Sequence, residues 1–365
     1  MENFDLLEYM NGGIQRVVKS IVKASLFDIK QNMFMIGFAE SAKNAYEIRK
    51  KYEEEGKHIP PILISSITSK CNLHCAGCYA RAIDSCNDDA PVSQLTAEEW
   101  KEIFLEAKDL GISFIILIGG EPMMRRDVLE VAGNIPEILF PVFTNGTMFD
   151  EEYIDLFAEH KNLLPVFSIE GNIENTDFRR GKGTYQNVLE LMDKLNKRKI
   201  IFGTSITVTS TNLEEVTSNE FVQSLYNKGS KLGFYVEFVP TSEASKKLVI
   251  NDEQREYLMK RVNDFREEFE NMVIVAFPGD EKNSGGCLAA GRGFFHVNSH
   301  GGAEPCPFSP YSDINIKNTS LLEAIDSKLF KELQLQDVLN ESHIGGCVLY
   351  EKREQVERIV NDSKD

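Results

Sequence analysis

Cys71, Cys75 and Cys78 lie within the run SSITSKCNLHCAGCYA, spaced C-x3-C-x2-C. Thiolates at that spacing can grip one [4Fe–4S] cube and leave its fourth iron without a protein ligand. Iron–sulfur clusters are ordinarily held by four cysteines, so a set of three implies that the open iron binds something else. Clustering separates these three from cysteines that merely fill a core as small hydrophobes. The rival chemistry is a tetrahedral zinc site, with His74 or Cys86 as the fourth ligand.

The elements around the run fit a reactive loop. It follows an apolar, strand-like segment, Pro61 to Thr68, and so sits at a strand's C-terminal end, where barrel enzymes keep their chemistry. Further strands are expected at Ser113–Ile118, Phe140–Thr144, Leu164–Ile169, Ile201–Val208 and Phe234–Val239, with helices between them. Thr96-Ala97-Glu98-Glu99 reads as a capping box opening one helix, and Tyr185–Lys197 as another. Residues 1–57 read as helices, with Ile14, Val17, Val18, Ile21 and Val22 at helical spacing and a second apolar set from Phe27 through Ala45. This arm serves either for packing or as an interaction platform. Ala82 to Val92 is a polar, acidic loop.

The cysteine spacing, with Gly119-Gly120-Glu121-Pro122 after the second strand, resembles the radical S-adenosylmethionine (SAM) enzymes over roughly residues 60–240. That resemblance implies an α/β fold: a partial (β/α)6 TIM-like barrel with an N-terminal helical arm. It makes Cys71, Cys75 and Cys78 the cluster ligands, with SAM on the open iron. It puts Gly119, Gly120 and Glu121 at the methionine amino group. Thr144 and Asn145 fall on the ribose side, Ser168 near the ribose or carboxylate, Arg180 on the carboxylate, and Val208 against adenine. The family commonly carries an aromatic residue before the third cysteine. Here that position is Gly77, so the ring is either missing or supplied by Tyr79.

Cys287, Cys306 and Cys347 form a second set, ordered C-x13-G-x4-C-gap-C around Gly301. The order resembles the twitch domain, a shortened SPASM extension with one auxiliary [4Fe–4S] cluster, and the intervening Phe295-His296-Val297 and Glu304-Pro305-Cys306-Pro307 fit its hairpin. His296 or His300 is a candidate to complete that site, and Arg292 is a candidate to face the substrate. Cys86, left over, is a candidate catalytic thiol: a radical relay, proton donor or extra ligand. The expected division is a helical arm at 1–57, a radical SAM core at 58–250 and a twitch-type domain at 251–365.

Composition sets outer limits. A net charge of −17 disfavours nucleic acid and anionic membranes as partners. No apolar run is long enough for a membrane helix, the N-terminus lacks a secretory pattern, and an odd cysteine count without export signals points to the cytoplasm. The expected function is reductive SAM cleavage and hydrogen abstraction, with flavodoxin or ferredoxin as reductant. The substrate is expected to be a peptide or protein side chain, or else a small molecule of cofactor biosynthesis. A non-catalytic iron–sulfur scaffold or electron carrier is the other class, and it would have no need of the SAM contacts.

Overall fold

Runs of β-branched and aromatic residues bounded by turn formers become strands. β1 (Ile62–Ser66), β2 (Phe114–Ile118), β3 (Phe140–Thr144), β4 (Leu163–Ser168), β5 (Gly203–Val208) and β6 (Leu232–Glu237) fall where the pattern puts them. The computed structural model describes residues 5–24, 29–89, 93–336, 338–340 and 347–363. Phe27, the end of the polar loop at 90–92 and the Ile344-Gly345-Gly346 run before Cys347 lie outside the described residues.

α1 (Leu6–Ala24) and α2 (Ile29–Glu54) precede β1. α3 (Tyr79–Ala82) follows the cysteine run. After it come α4 (Ala97–Asp109), α5 (Arg126–Gly133), α6 (Glu151–Glu159), α7 (Ile173–Arg180), α8 (Thr184–Lys197), α9 (Leu213–Val216), α10 (Asn219–Asn227) and α11 (Asp252–Glu268). The capping box forms as read: the Thr96 side chain accepts from the Glu99 amide, and the Glu99 carboxylate accepts from the Thr96 amide.

β7 (Val273–Phe277), β8 (Phe294–Val297) and β9 (Ala303–Glu304) complete one sheet, ordered β7-β6-β5-β4-β3-β2-β1-β8-β9. The six β/α units are present, and a further parallel strand flanks them on each side. β8 runs parallel to β1, pairing Ile62 with Phe294 and Ile64 with His296, while β9 turns back antiparallel. An open edge on β1 would expose unpaired backbone groups, and β8 covers it. Phe277 and Phe294 meet edge-on, ring centroids 5.8 Å apart, across the seam between β7 and β8.

Alternation along β1 sets Ile62 and Ile64 toward the barrel lumen and Leu63 and Ser65 toward the buried outer layer. A second apolar cluster closes the bottom. Ile14 and Val18 of α1 and Met35 and Phe38 of α2 pack on Phe114, Leu139, Leu164 and Leu232, all at or beside strand starts. The amphipathic stripe of the first helix is thereby explained: it is the floor of the lumen.

Candidate active site

The cysteine loop is held from three sides. Asp88 accepts from the Cys71 amide at 3.0 Å, and Arg81 ties Asp88 to the Cys71 and Leu73 carbonyls. The end of α7 clamps the loop's middle: the Ala76 amide donates to the Arg179 carbonyl at 2.7 Å, and the Arg179 guanidinium donates to the Ala76 carbonyl. The glycine pair supplies the third side. Amides of Gly120 and Glu121 donate to Thr68 and Lys70 carbonyls, each at 2.8 Å. A Cβ on Gly119 would stand 2.3 Å from the Thr68 oxygen, and one on Gly120 would stand 2.0 Å from the Lys70 oxygen. Only glycine lets these backbones meet so closely.

Glu121 lines the cavity and is engaged by the chain's own groups. Its carboxylate is buried and accepts from the Thr144 hydroxyl at 2.7 Å and from the amides of Asn145 and Met123. Burial, partly offset by these donors, pushes its pKa up to about 7. It therefore ties the end of β2 to the end of β3. Asn145 continues the brace, donating to Asn72 at 2.9 Å.

Arg180 lines the cavity too and is likewise engaged within the chain. Its Nε and Nη2 donate to Glu170, leaving Nη1 pointing at the Cys75 sulfur, 3.9 Å away. Glu170, missed from sequence although it stands two residues after Ser168, also pairs with Arg179 and accepts from the Thr207 amide. Val208 is fully buried and is not among the residues lining the lumen; its carbonyl accepts from the Phe238 amide. Ser168, by contrast, lines the lumen.

The ring expected near Gly77 comes from elsewhere. Gly77 has φ of +67°, and a Cβ there would stand 2.9 Å from the Phe238 ring. Phe238, one residue past β6, fills the space that an aromatic at position 77 would claim, with the Arg179 guanidinium 5.8 Å from its centroid. Its place after a strand was the available signal. Tyr79 instead packs edge-on against Phe308, centroids 4.5 Å apart, and burial raises its pKa.

Cys86 stands behind the ligand set. Its buried thiol hydrogen-bonds Cys71, which lowers the Cys71 pKa to about 6, and it is not among the lumen-lining residues. This place does not suit a thiol that must reach a substrate. Burial pushes the Cys75 thiol up, against the pull of Arg180.

The second set assembles from three distant segments. The thiols of Cys306 and Cys347 hydrogen-bond each other, and Cys287 lies close enough to act on Cys306; burial, then Cys347, pushes the Cys306 pKa up. Arg292 turns away from the lumen and donates to the carbonyls of Cys287, Ser284 and Gly285. His296 is not free to be a ligand: its ring nitrogens engage Ser66 at 2.7 Å and Glu304 at 2.8 Å. His300 meets the Ser93 carbonyl. Among the described residues, no three His, Cys, Asp or Glu side chains close around a point suited to a single ion. A zinc centre needs that closeness.

Cys71, Cys75, Cys78 and Cys306 all line one cavity of about 950 Å³, which runs from the cysteine loop down to α1. Residues 65–225 match the radical SAM superfamily model. Residues 65–225 therefore carry a radical SAM domain. A [4Fe–4S] cluster and SAM are the superfamily's cofactors, and the donors around the cysteine loop fit them. The chain is 28% identical over 306 residues to the AdoMet-dependent heme synthase of Methanosarcina barkeri, covering 75% of this chain and 85% of that one. Streptococcus suis SuiB bound to precursor peptide SuiA shares the fold, with a TM-score of 0.61 at 18% identity over 78% of this chain and 68% of SuiB. So does anSMEcpe with bound AdoMet, with a TM-score of 0.59 at 18% identity over 82% and 96% of the two chains. No helix among the described residues is long and apolar enough to cross a membrane.

Proposed function

We propose that this enzyme oxidises a substrate held in the barrel lumen, using SAM at the Cys71–Cys75–Cys78 end and an auxiliary cluster at Cys287, Cys306 and Cys347. One observation carries the reading: Cys306 opens on the same cavity as the first cysteine set. A cluster held at the first set, reduced by an external one-electron donor, would supply the electron for cleaving SAM to methionine and a 5′-deoxyadenosyl radical; that radical would take hydrogen from the substrate, and the auxiliary cluster would accept the remaining electron. The chain's own part is to position and shield. Arg180 holds positive charge against the Cys75 sulfur, favouring thiolate. Phe238 and the apolar strand faces exclude water from the reacting centre. Glu121 fixes the two strand ends between which SAM is to lie.

A lumen floored by α1 and seamed by Phe277 and Phe294 favours a compact substrate entering at the cysteine end, and the heme synthase relative supports a small molecule. A peptide is the second reading, favoured by the fold shared with peptide-bound SuiB; only its modified end would enter the lumen. The test is anaerobic reconstitution with iron counting and chromatography of SAM products. Wild-type protein is expected to hold about eight irons, as two [4Fe–4S] clusters, and to release 5′-deoxyadenosine on reduction. The triple variant Cys71→Ala/Cys75→Ala/Cys78→Ala should lose that product. Cys306→Ala should fall to about four irons yet still cleave SAM; an unchanged iron count would overturn the auxiliary-cluster reading.

A further inference from the structure

The lumen does not end where the proposed reaction needs it to. It continues past the apolar rungs to the strand starts, and its floor is a helix with two adjacent glycines in its interior, Gly12 and Gly13. Each glycine weakens a helix relative to alanine, so a reason is required. Packing gives none. Neither has positive φ, and an added Cβ would meet only the Arg16 guanidinium, at 3.6 Å from Gly12 and 4.0 Å from Gly13. What the bare backbone does provide is depth, because Gly13 lines the cavity directly.

The charges at this end are uneven. Four floor-side charges are mutually matched: Arg266 pairs with Asp280 at 2.7 Å, and Lys23 with Glu270 at 3.2 Å. Arg16 and Lys19 also line the cavity, are solvent-exposed and have no carboxylate partner among the described residues. Two unmatched cations at the end of an apolar tube, in a chain of net charge −17, form a local exception to the global field.

We propose that Gly13, Arg16 and Lys19 form a subsite at the lumen floor for the anionic end of the substrate, whose apolar body then lies along the barrel toward the cysteines. The inference rests on the reading of the lumen as the substrate chamber and names the substrate's chemistry: an apolar molecule with a carboxylate or similar anion remote from the reacting carbon. Gly13 sets how deep that anion can reach.

The probes are 1-anilinonaphthalene-8-sulfonate, an apolar body with an anionic tip, and its neutral counterpart N-phenyl-1-naphthylamine, each measured by equilibrium dialysis against the cluster-loaded protein. The anionic probe should bind roughly tenfold more tightly than the neutral one, as expected for one favourable charge contact. That preference should shrink as salt rises from about 50 mM to about 500 mM. Arg16→Gln/Lys19→Gln should erase the preference and leave neutral binding unchanged. Gly13→Phe, or Gly13→Leu should the larger residue prevent folding, should weaken both probes while the melting temperature holds or rises. Equal binding of the two probes, no binding of either, a preference that survives in the double variant, or unaltered binding in the Gly13 variants would each overturn the subsite. SAM cleavage by the same preparation reports separately on the proposed reaction, so failure of one does not mask failure of the other.

Discussion

At the scale of single residues, the site depends on groups outside the cysteine motif. Glu121 is the clearest case. A carboxyl whose folded pKa, about 7, exceeds its ordinary 4.5 holds its proton more tightly when folded. Stability therefore falls as pH rises through that window, by on the order of 3 kcal/mol. Glu121→Gln cannot ionise, so its urea midpoint should change less than wild type's between about pH 5 and about pH 7.5; equal slopes would show that Glu121 titrates normally. Phe238 is the second case. Because its ring occupies the space beside Gly77, Phe238→Ala should weaken SAM binding roughly three- to tenfold, the scale of one aromatic contact. Calorimetry on reconstituted protein reads this directly, and unchanged affinity would leave the ring a packing role only.

Among the elements, the cysteine loop has no regular structure of its own and borrows order from its neighbours. The glycine pair after β2 zips it to the end of that strand, and the end of α7 clamps its middle. A methyl group at Gly120 would press into the Lys70 carbonyl, which is backbone and cannot swing aside. Gly120→Ala should accordingly cut bound iron severely while the helical circular dichroism stays near wild type, because the helices pack elsewhere. Full iron content in that variant would mean the zipper is dispensable. The motif glycines were legible as a close approach from sequence, but the partner was not: they meet the chain's own backbone at Thr68 and Lys70.

For the whole molecule, the C-terminal region is stitched into the barrel through β8 rather than hung beside it. A chain ending at Ala290 would strip β1 of its neighbour and expose a row of unpaired backbone groups along an apolar strand. Such a protein should elute as aggregate in size-exclusion chromatography, and the full chain should not; a well-behaved monomer would mean that β8 is an accessory.

The sequence alone determined the local matters. Strand and helix positions follow from periodicity, which needs only neighbouring residues; the six expected strands and the Thr96 cap all appear in place. The first cysteine set stood out because three thiols at short spacing are a chemical statement in themselves; the second stood out only through its resemblance to the twitch order. Tertiary structure decided whatever depends on long-range meetings. It took Glu170, ten residues before Arg180, to turn that guanidinium toward Cys75, and Phe238 from another strand to fill the space beside Gly77. It also put Cys86 behind Cys71, and laid the first helix under the lumen as its floor. A side chain's type limits what it can bond, but only the closed barrel fixes which partner arrives first.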